Sequence, residues 1–300
     1  MMLSLVVASV DCSSGSQVNL DFTQLGWIEA IFLGIVQGIT ELLPISSTAH
    51  LRIVPALLGW PDPGSAFSAA MQLASLIAVL VYFWSDLKKL SGQTYRAIID
   101  KDYQSSSLWL VVGLIVGTLP ISIAGLLLKK VLNACDSPLR GLIVIGAASI
   151  VMSGLLAIAE KVGKRDRAFG QTTLKDGIWV GVAQAFALIP GVSRSGSTLT
   201  AALFLGMERE TAARFSFLLG LPAVILAGAL ELHTLLKAGL DASGWLILLV
   251  SLTSASISAF LAIWLLLHYL EKRSTWVFVF YRFAMGVFLI VSVLSGWLPN

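Results

Sequence analysis

Six runs of apolar residues, each long enough to cross a lipid bilayer as a helix, decide what this chain can become. They are Phe67–Trp84, Leu108–Leu128, Gly141–Ala159, Phe215–Leu236, Trp245–His268 and Trp276–Leu298. A bilayer core of about 30 Å takes roughly 20 apolar residues in helical form. Inside it every backbone N–H and C=O must find a partner within the protein, which leaves helices or a closed barrel. Runs of this length read as helices, so the expected fold is all-α and polytopic. Trp84, Trp109, Trp245, Trp276 and Trp297 fall at run ends, where aromatic belts lie. Composition agrees: 57% of the residues are hydrophobic and 12% charged, about half the charged share of a soluble domain, too little to cover a water-facing surface.

Two further apolar regions, from Gly26 to Gly59 and from Gly177 to Gly206, do not read as simple spans. Each begins as a helix and breaks at a proline followed by hydroxyl residues, Pro44-Ile45-Ser46-Ser47-Thr48 in one and Pro190-Gly191-Val192-Ser193-Arg194-Ser195 in the other. Each then resumes as an apolar run. Backbone freed by such a break is tolerated at membrane depth when it is buried in protein or faces a wet cavity. Two half-helices forming a re-entrant hairpin satisfy that requirement.

The two regions also match each other. Gly34-Ile35-Val36-Gln37 recurs as Gly181-Val182-Ala183-Gln184 at an offset of 147, Ser46 and Ser193 keep that offset, and Phe67-Ser68 recurs as Phe215-Ser216 at 148. The expected organisation is one membrane domain, residues 25–300, built of two repeats at about 26–159 and 176–298. Each repeat is a hairpin plus three spans. Three is odd, so the second copy is inverted in the membrane, and inverted repeats with broken helices place their site near the midplane. Residues 1–24 read as a variable extension, since the apolar start at Met1–Val10 is short and lacks the positive flank of a signal peptide.

Of the 20 Lys and Arg, Arg194 and Arg282 lie inside apolar segments. Thirteen of the rest belong to loops on one side of the expected arrangement, among them Lys88, Lys89, Lys164, Arg165 and Arg209, and five, including Arg52 and Arg140, to the other. The basic side belongs in the cytoplasm, which puts both termini outside. The net charge of +3 is thus a topology signal and not a nucleic-acid footprint. Cys12 and Cys135 are too few for a disulfide framework, and no Cys/His cluster has zinc-ligand spacing.

An ionisable group inside a membrane segment costs roughly 2.5–3.5 kcal/mol even on lenient scales, so each such residue needs a reason. Gln37 and Glu41 stand one turn apart on one helix face, with Gly34 and Gly38 at the same spacing to permit close packing. Ser46, Ser47 and Thr48 occupy the position of an N-cap, and capping is the expected role of Ser46. A half-helix starting there aims free N–H groups and its positive dipole end into the break, an anion site. His50, one turn further on, can exchange a proton near neutral pH. In the second break Arg194 is flanked by Ser193, Ser195 and Thr198; its planar fork suits phosphate oxygens, and pairing with Glu41 is the alternative. Arg282, inside the last run, reads as structural, snorkelling or paired. Together these groups suit phosphoryl transfer, which is mostly positioning and neutralisation of oxygen charge. With Glu41 as the one obvious carboxylate, assisted by Gln37, a divalent cation would take most of its ligands from substrate and water.

The run Leu33–His50, with Gln37, Glu41, Pro44, Ser46, Ser47 and His50 at fixed spacing, resembles the first signature of the bacterial undecaprenyl-diphosphate phosphatases, and Pro190–Gly196 resembles the second. Ala213–Leu219 and Tyr281-Arg282-Phe283 are similar to weaker segments of that family. The resemblance covers Leu25 to the C-terminus. It implies a metal-assisted phosphatase of the bacterial inner membrane, using Mg2+ or Ca2+, that regenerates the carrier lipid of cell-wall synthesis. It also implies Ser47, His50 and the pair Ser193 and Arg194 as functional positions. The family's first acidic position is Gln37 here, a variant it tolerates, so Glu41 carries the metal or base role alone; Ala49 stands where glycine is common. The implied partners are a polyprenyl diphosphate and the surrounding lipids, with no nucleic acid, and a homodimer is admitted. Ser47, His50 and water all remain open as nucleophile. Broken helices in inverted repeats also suit a carrier of an anionic lipid, which would use Arg194 but would have no need of a proton donor.

Overall fold

The computed structural model describes residues 20–132, 139 and 141–298. Most of the proposed N-terminal extension, with Cys12, and also Cys135 and Arg140, lie outside the described residues. Residues 21–24 form a 3-10 turn whose Phe22 is fully buried, its ring 5.5 Å from that of Phe67, so the chain joins the packed body at least from there.

Twelve α-helices follow among the described residues, with no β-strand. They are α1 (Trp27–Leu42), α2 (Ser47–Leu58), α3 (Gly64–Ala70), α4 (Gln72–Tyr82), α5 (Trp84–Ile99), α6 (Ser106–Leu132), α7 (Leu142–Val162), α8 (Leu174–Ala185), α9 (Arg194–Phe204), α10 (Arg209–Ala238), α11 (Ala242–Lys272) and α12 (Trp276–Leu294). Five of them, α6, α7, α10, α11 and α12, are long and apolar enough to cross a membrane, and they coincide with five of the six expected runs. The protein is all-α and polytopic.

The sixth run departs from expectation. Residues 67–82 are helical and the chain then bends by 72° into α5, so this run is not one straight span and counts as a sixth crossing only as a bent pair with α5. The cause is in the sequence: past Trp84 the apolar run gives way to Asp86, Lys88, Lys89 and Arg96, which a lipid core would not accept unpaired. Arg214 of α10 holds the bend, bonding to Asp86 at 2.7 Å while its guanidinium lies 4.9 Å from the Phe169 ring.

Small residues set the closest helix contacts. A Cβ at Gly34 or Gly38 would collide with Ser254 or Ser258, which brings α1 onto α11; one at Gly181 would collide with the Gly117 backbone, which brings α8 onto α6. Lipid tails are as apolar as leucine, so helices in a bilayer associate through such close packing. Further contacts join α4 to α10 and α11, α10 to α6, and α7 to α12. On the arginine-rich face the buried Glu160 at the end of α7 accepts from Arg209 at the start of α10 and from Thr275 ahead of α12 (2.8 Å), tying three helix ends together.

In this frame α1 and α2 form one helix–break–helix unit whose arms touch, and α8 and α9 form another.

Candidate active site

The first unit breaks where α1 runs into Leu43-Pro44-Ile45. The residue that restarts the helix, Ser46, has φ of 74°, left-handed backbone unusual for a side-chain-bearing residue. In the second unit Ser193 does the same with φ of 71°. Such conformations cost of order 1–3 kcal/mol and persist only where surroundings enforce them. Two of the four non-glycine residues with positive φ among the described residues therefore sit at matching points of the two breaks.

Ser46 does not cap α2, contrary to the role its position suggests. Its hydroxyl lies 3.2 Å from that of Thr48, an exposed residue, and no side chain accepts from the first amides of α2. Ser193 does cap α9, accepting from the Gly196 amide at 3.1 Å while meeting Ser195 Oγ at 3.2 Å. The first helix thus presents uncapped N–H groups toward the break.

Glu41 is the centre of the site. It is 7% exposed, and its two oxygens have different partners. Oε2 accepts from Gln37 Nε2 at 3.0 Å and from Ser47 Oγ at 2.5 Å. Oε1 accepts from Arg194 Nη2 at 2.9 Å, across 153 residues of sequence. Arg194 Nη1 reaches the Gly220 carbonyl at 3.4 Å, where a side chain on Gly220 would press on the guanidinium. Ser195 Oγ bonds to the carbonyls of Leu43 (2.9 Å) and Glu41 (3.2 Å), fastening the second break to the end of α1. Thr198 bonds back to the Arg194 carbonyl at 2.8 Å and to Ser216 of α10, so it supports the turn that carries Arg194. Gln37 Oε1 is buried with no partner.

His50 is held elsewhere. Its Nδ1 lies 2.7 Å from the Ser46 carbonyl, and a carbonyl only accepts, so Nδ1 carries the hydrogen. That leaves Nε2 as acceptor, and Tyr281 Oη donates to it at 2.5 Å with the two rings stacked 5.7 Å apart. Tyr281 belongs in sequence to a weaker family-like segment, but no local signal pairs it with a histidine 231 residues away.

Glu41, Ser75, Arg194, Ser195 and Ser216 are the polar residues lining a narrow cavity of about 20 Å³, room for little more than a water. Its walls are Leu76 and Val79 of α4 and Phe217, Leu221 and Val224 of α10. His50 does not line it. The structure thus joins Gln37, Glu41, Ser47 and Arg194 in one hydrogen-bonded cluster with Ser193, Ser195 and Thr198 supporting it, and sets His50 and Tyr281 to one side.

Arg282 is the second arginine of the site, and it has no carboxylate partner among the described residues. Nη1 donates to the Pro44 carbonyl at 2.9 Å, and Nη2 to those of Gly191 (2.8 Å) and Val192 (3.0 Å). Of the expected roles, it is structural.

Fold and site together define a polytopic membrane protein with a carboxylate, a hydroxyl and an arginine gathered between two broken helices. The profile of the bacitracin resistance protein BacA family matches residues 30–288, and the chain belongs to that family. It is 58% identical over 263 residues to undecaprenyl-diphosphatase 2 of Mesorhizobium japonicum, covering 88% of this chain and all of the relative. It is 51% identical to the undecaprenyl-diphosphatase of Trichormus variabilis over 99% of this chain and 94% of that one, and 54% identical to that of Gloeobacter violaceus over 92% and 95%.

Proposed function

We infer that the chain is a membrane phosphatase that hydrolyses undecaprenyl diphosphate to undecaprenyl phosphate and inorganic phosphate, returning the carrier lipid to cell-wall synthesis. Its relatives carry the name of that activity. The observation that carries the reading at the level of atoms is the pair of bonds on Glu41, Ser47 at 2.5 Å on one oxygen and Arg194 at 2.9 Å on the other. A hydroxyl bonded to a buried carboxylate is a nucleophile beside its base. Ser47 Oγ attacks the distal phosphorus and its proton passes to Glu41 as undecaprenyl phosphate leaves. Water then attacks the phosphoserine, releasing inorganic phosphate and regenerating Ser47. Arg194 turns its fork from Glu41 to the phosphate oxygens, and the uncapped amides of α2 add partial positive charge. The engagement of His50 Nε2 by Tyr281 favours Ser47 over His50 as nucleophile.

A divalent cation, Mg2+ or Ca2+, fits here in one respect. Gln37 Oε1 is a buried hard oxygen without a partner, on the amide whose Nε2 donates to Glu41. These two residues would hold the ion, which when bound neutralises charge on substrate oxygens.

The membrane arrangement belongs to the same proposal. The packing has a two-fold character: α1 on α11 answers α8 on α6, α4 on α11 answers α10 on α6, and α4 meets α10 as α7 meets α12. This supports two inverted repeats, 26–159 and 176–298, with both broken units re-entrant. In the bacterial inner membrane the arginine-rich face is cytoplasmic and both termini are outside. A membrane-impermeant thiol reagent should then miss a cysteine placed at Lys164 in intact cells; labelling there reverses the orientation.

Purified protein in detergent, with no second compartment, should release phosphate from undecaprenyl diphosphate, and acid quenching should trap phosphate on Ser47. A protein that moves the lipid but releases no phosphate is a carrier instead. Full turnover by Ser47→Ala would transfer the attack to water.

A further inference from the structure

Arg282 sits in the middle of α12, 1% exposed, and no Asp or Glu among the described residues forms an ion pair with it. A charge buried at that depth is retained only where it serves a purpose. Its partners are three backbone carbonyls from two segments far apart in sequence. Pro44 and Gly191 stand at the same offset of 147 as the two left-handed serines, each two residues ahead of its serine. The two Nη groups of one guanidinium therefore bind equivalent carbonyls in the two breaks. A flat, two-pronged cation between two matching acceptors is a use for which arginine alone among side chains is shaped. Gly196 completes the fit, since a Cβ there would lie 2.8 Å from Nη1.

We propose that Arg282 is the positioning residue of the site: it clamps the two breaks to each other at equivalent carbonyls and so fixes the N-termini of α2 and α9 toward one phosphate. It acts through the backbone next to Ser46 and Ser193, and its hydrogen bonds go to those carbonyls and not to the Glu41, Ser47 or Arg194 side chains. The proposal rests on the phosphatase reading for its effect on rate, but its geometry can be tested apart from activity.

The test uses the full chain purified in detergent, with undecaprenyl diphosphate as substrate. Arg282→Lys keeps the charge but offers one compact ammonium in place of a fork, so one break is left untied. Misplacement by about 1 Å can cost about 100-fold, and kcat should fall by that order with KM little changed, since Arg194 and Glu41 are intact. Arg282→Ala should recover part of its rate with millimolar methylguanidinium and none with methylammonium. Hydrogen exchange followed by mass spectrometry should be faster over residues 41–50 and 188–197 in Arg282→Lys, and unchanged over α6. Arg282→Gln gives the same exchange test if the lysine form does not accumulate. Wild-type exchange in either break overturns the clamp, as does a rate loss that merely follows the loss of folded protein with exchange raised everywhere. If the parent protein releases no phosphate, the phosphatase reading fails while the exchange result still decides the clamp.

Discussion

At residue 46 and again at residue 193 a serine turns the chain through positive φ and starts a helix, but only the second of these serines caps the helix it starts. The rest of the two breaks diverges in the same sense. Around the first stand Gln37, Glu41, Ser47 and His50, groups that accept, donate or move protons. Around the second stand Arg194 and the hydroxyls of Ser193, Ser195 and Thr198, all bonded to backbone or to one another. One backbone device has become two tools. The first break is left chemically open, with uncapped amides and a hydroxyl on a carboxylate, and the second is locked down so that its arginine is held in place.

If this division holds, the greatest losses come from the first break. Glu41→Gln removes the proposed base from Ser47 and leaves Arg194 without its counter-charge, and Ser47→Ala removes the proposed nucleophile. Each should lower kcat by about 10²–10⁴-fold in phosphate-release assays on folded protein. The comparison breaks if Arg194→Lys costs more than either.

Arg194→Lys comes next. It preserves the charge and loses the two-pronged grip, so KM should rise and kcat fall together, because the grip acts on ground and transition states alike. An unchanged KM would remove Arg194 from substrate binding and leave it as the partner of Glu41.

His50 belongs to the first break by sequence but faces α12. Its bond to Tyr281 predicts that His50→Ala and Tyr281→Phe each lower kcat by about tenfold or more, and that the double variant is no worse than the more damaged single one, as for residues in one network. Additive losses would mean that the two act apart, and near-normal turnover by folded His50→Ala would take the histidine out of the mechanism.

Much of this was legible in the sequence because lipid is a strict solvent. Five spans could be read from length alone, and both breaks from a proline followed by hydroxyls. Pairing of Glu41 with Arg194 was legible as one of the two roles open to the arginine, since either charge alone in lipid is costly. What could not be read depends on three-dimensional detail. Capping depends on backbone angles and neighbouring hydroxyls that Ser46 and Ser193 do not share. The bend at Phe83 depends on whether the charges of α5 find partners, as Asp86 finds Arg214. Arg282 is ambiguous in sequence, because a span arginine that snorkels, pairs or binds carbonyls is written with the same letter.

The mouths of the two broken units give the smallest and sharpest form of the comparison. At the start of α1 the Gly26 amide donates to Glu29 at 2.7 Å in an exposed cap. At the start of α8 the cap is buried: Asp176, 3% exposed, accepts from Thr173 N at 2.7 Å and from Arg167 at 2.6 and 2.9 Å. Burial disfavours the charged form of Asp176, but the bonds from Arg167 and Thr173 outweigh it and hold the carboxyl below its usual pKa. A depressed carboxylate adds stability above its unfolded pKa of about 3.9, and that share is lost as pH falls through the folded value. Asp176→Asn should therefore lower stability near neutral pH by about 1–3 kcal/mol, a buried pair discounted for the partly exposed arginine plus the weakened cap, and the deficit should shrink toward pH 3. Glu29→Gln should cost a few tenths at most, since an exposed charge-assisted cap is worth little. Thermal unfolding of the detergent-solubilised variants between pH 3 and 7 measures both. Equal losses at the two mouths would show that the second unit is no more firmly anchored than the first, and the picture of one open and one locked break would lose its support at the membrane surface.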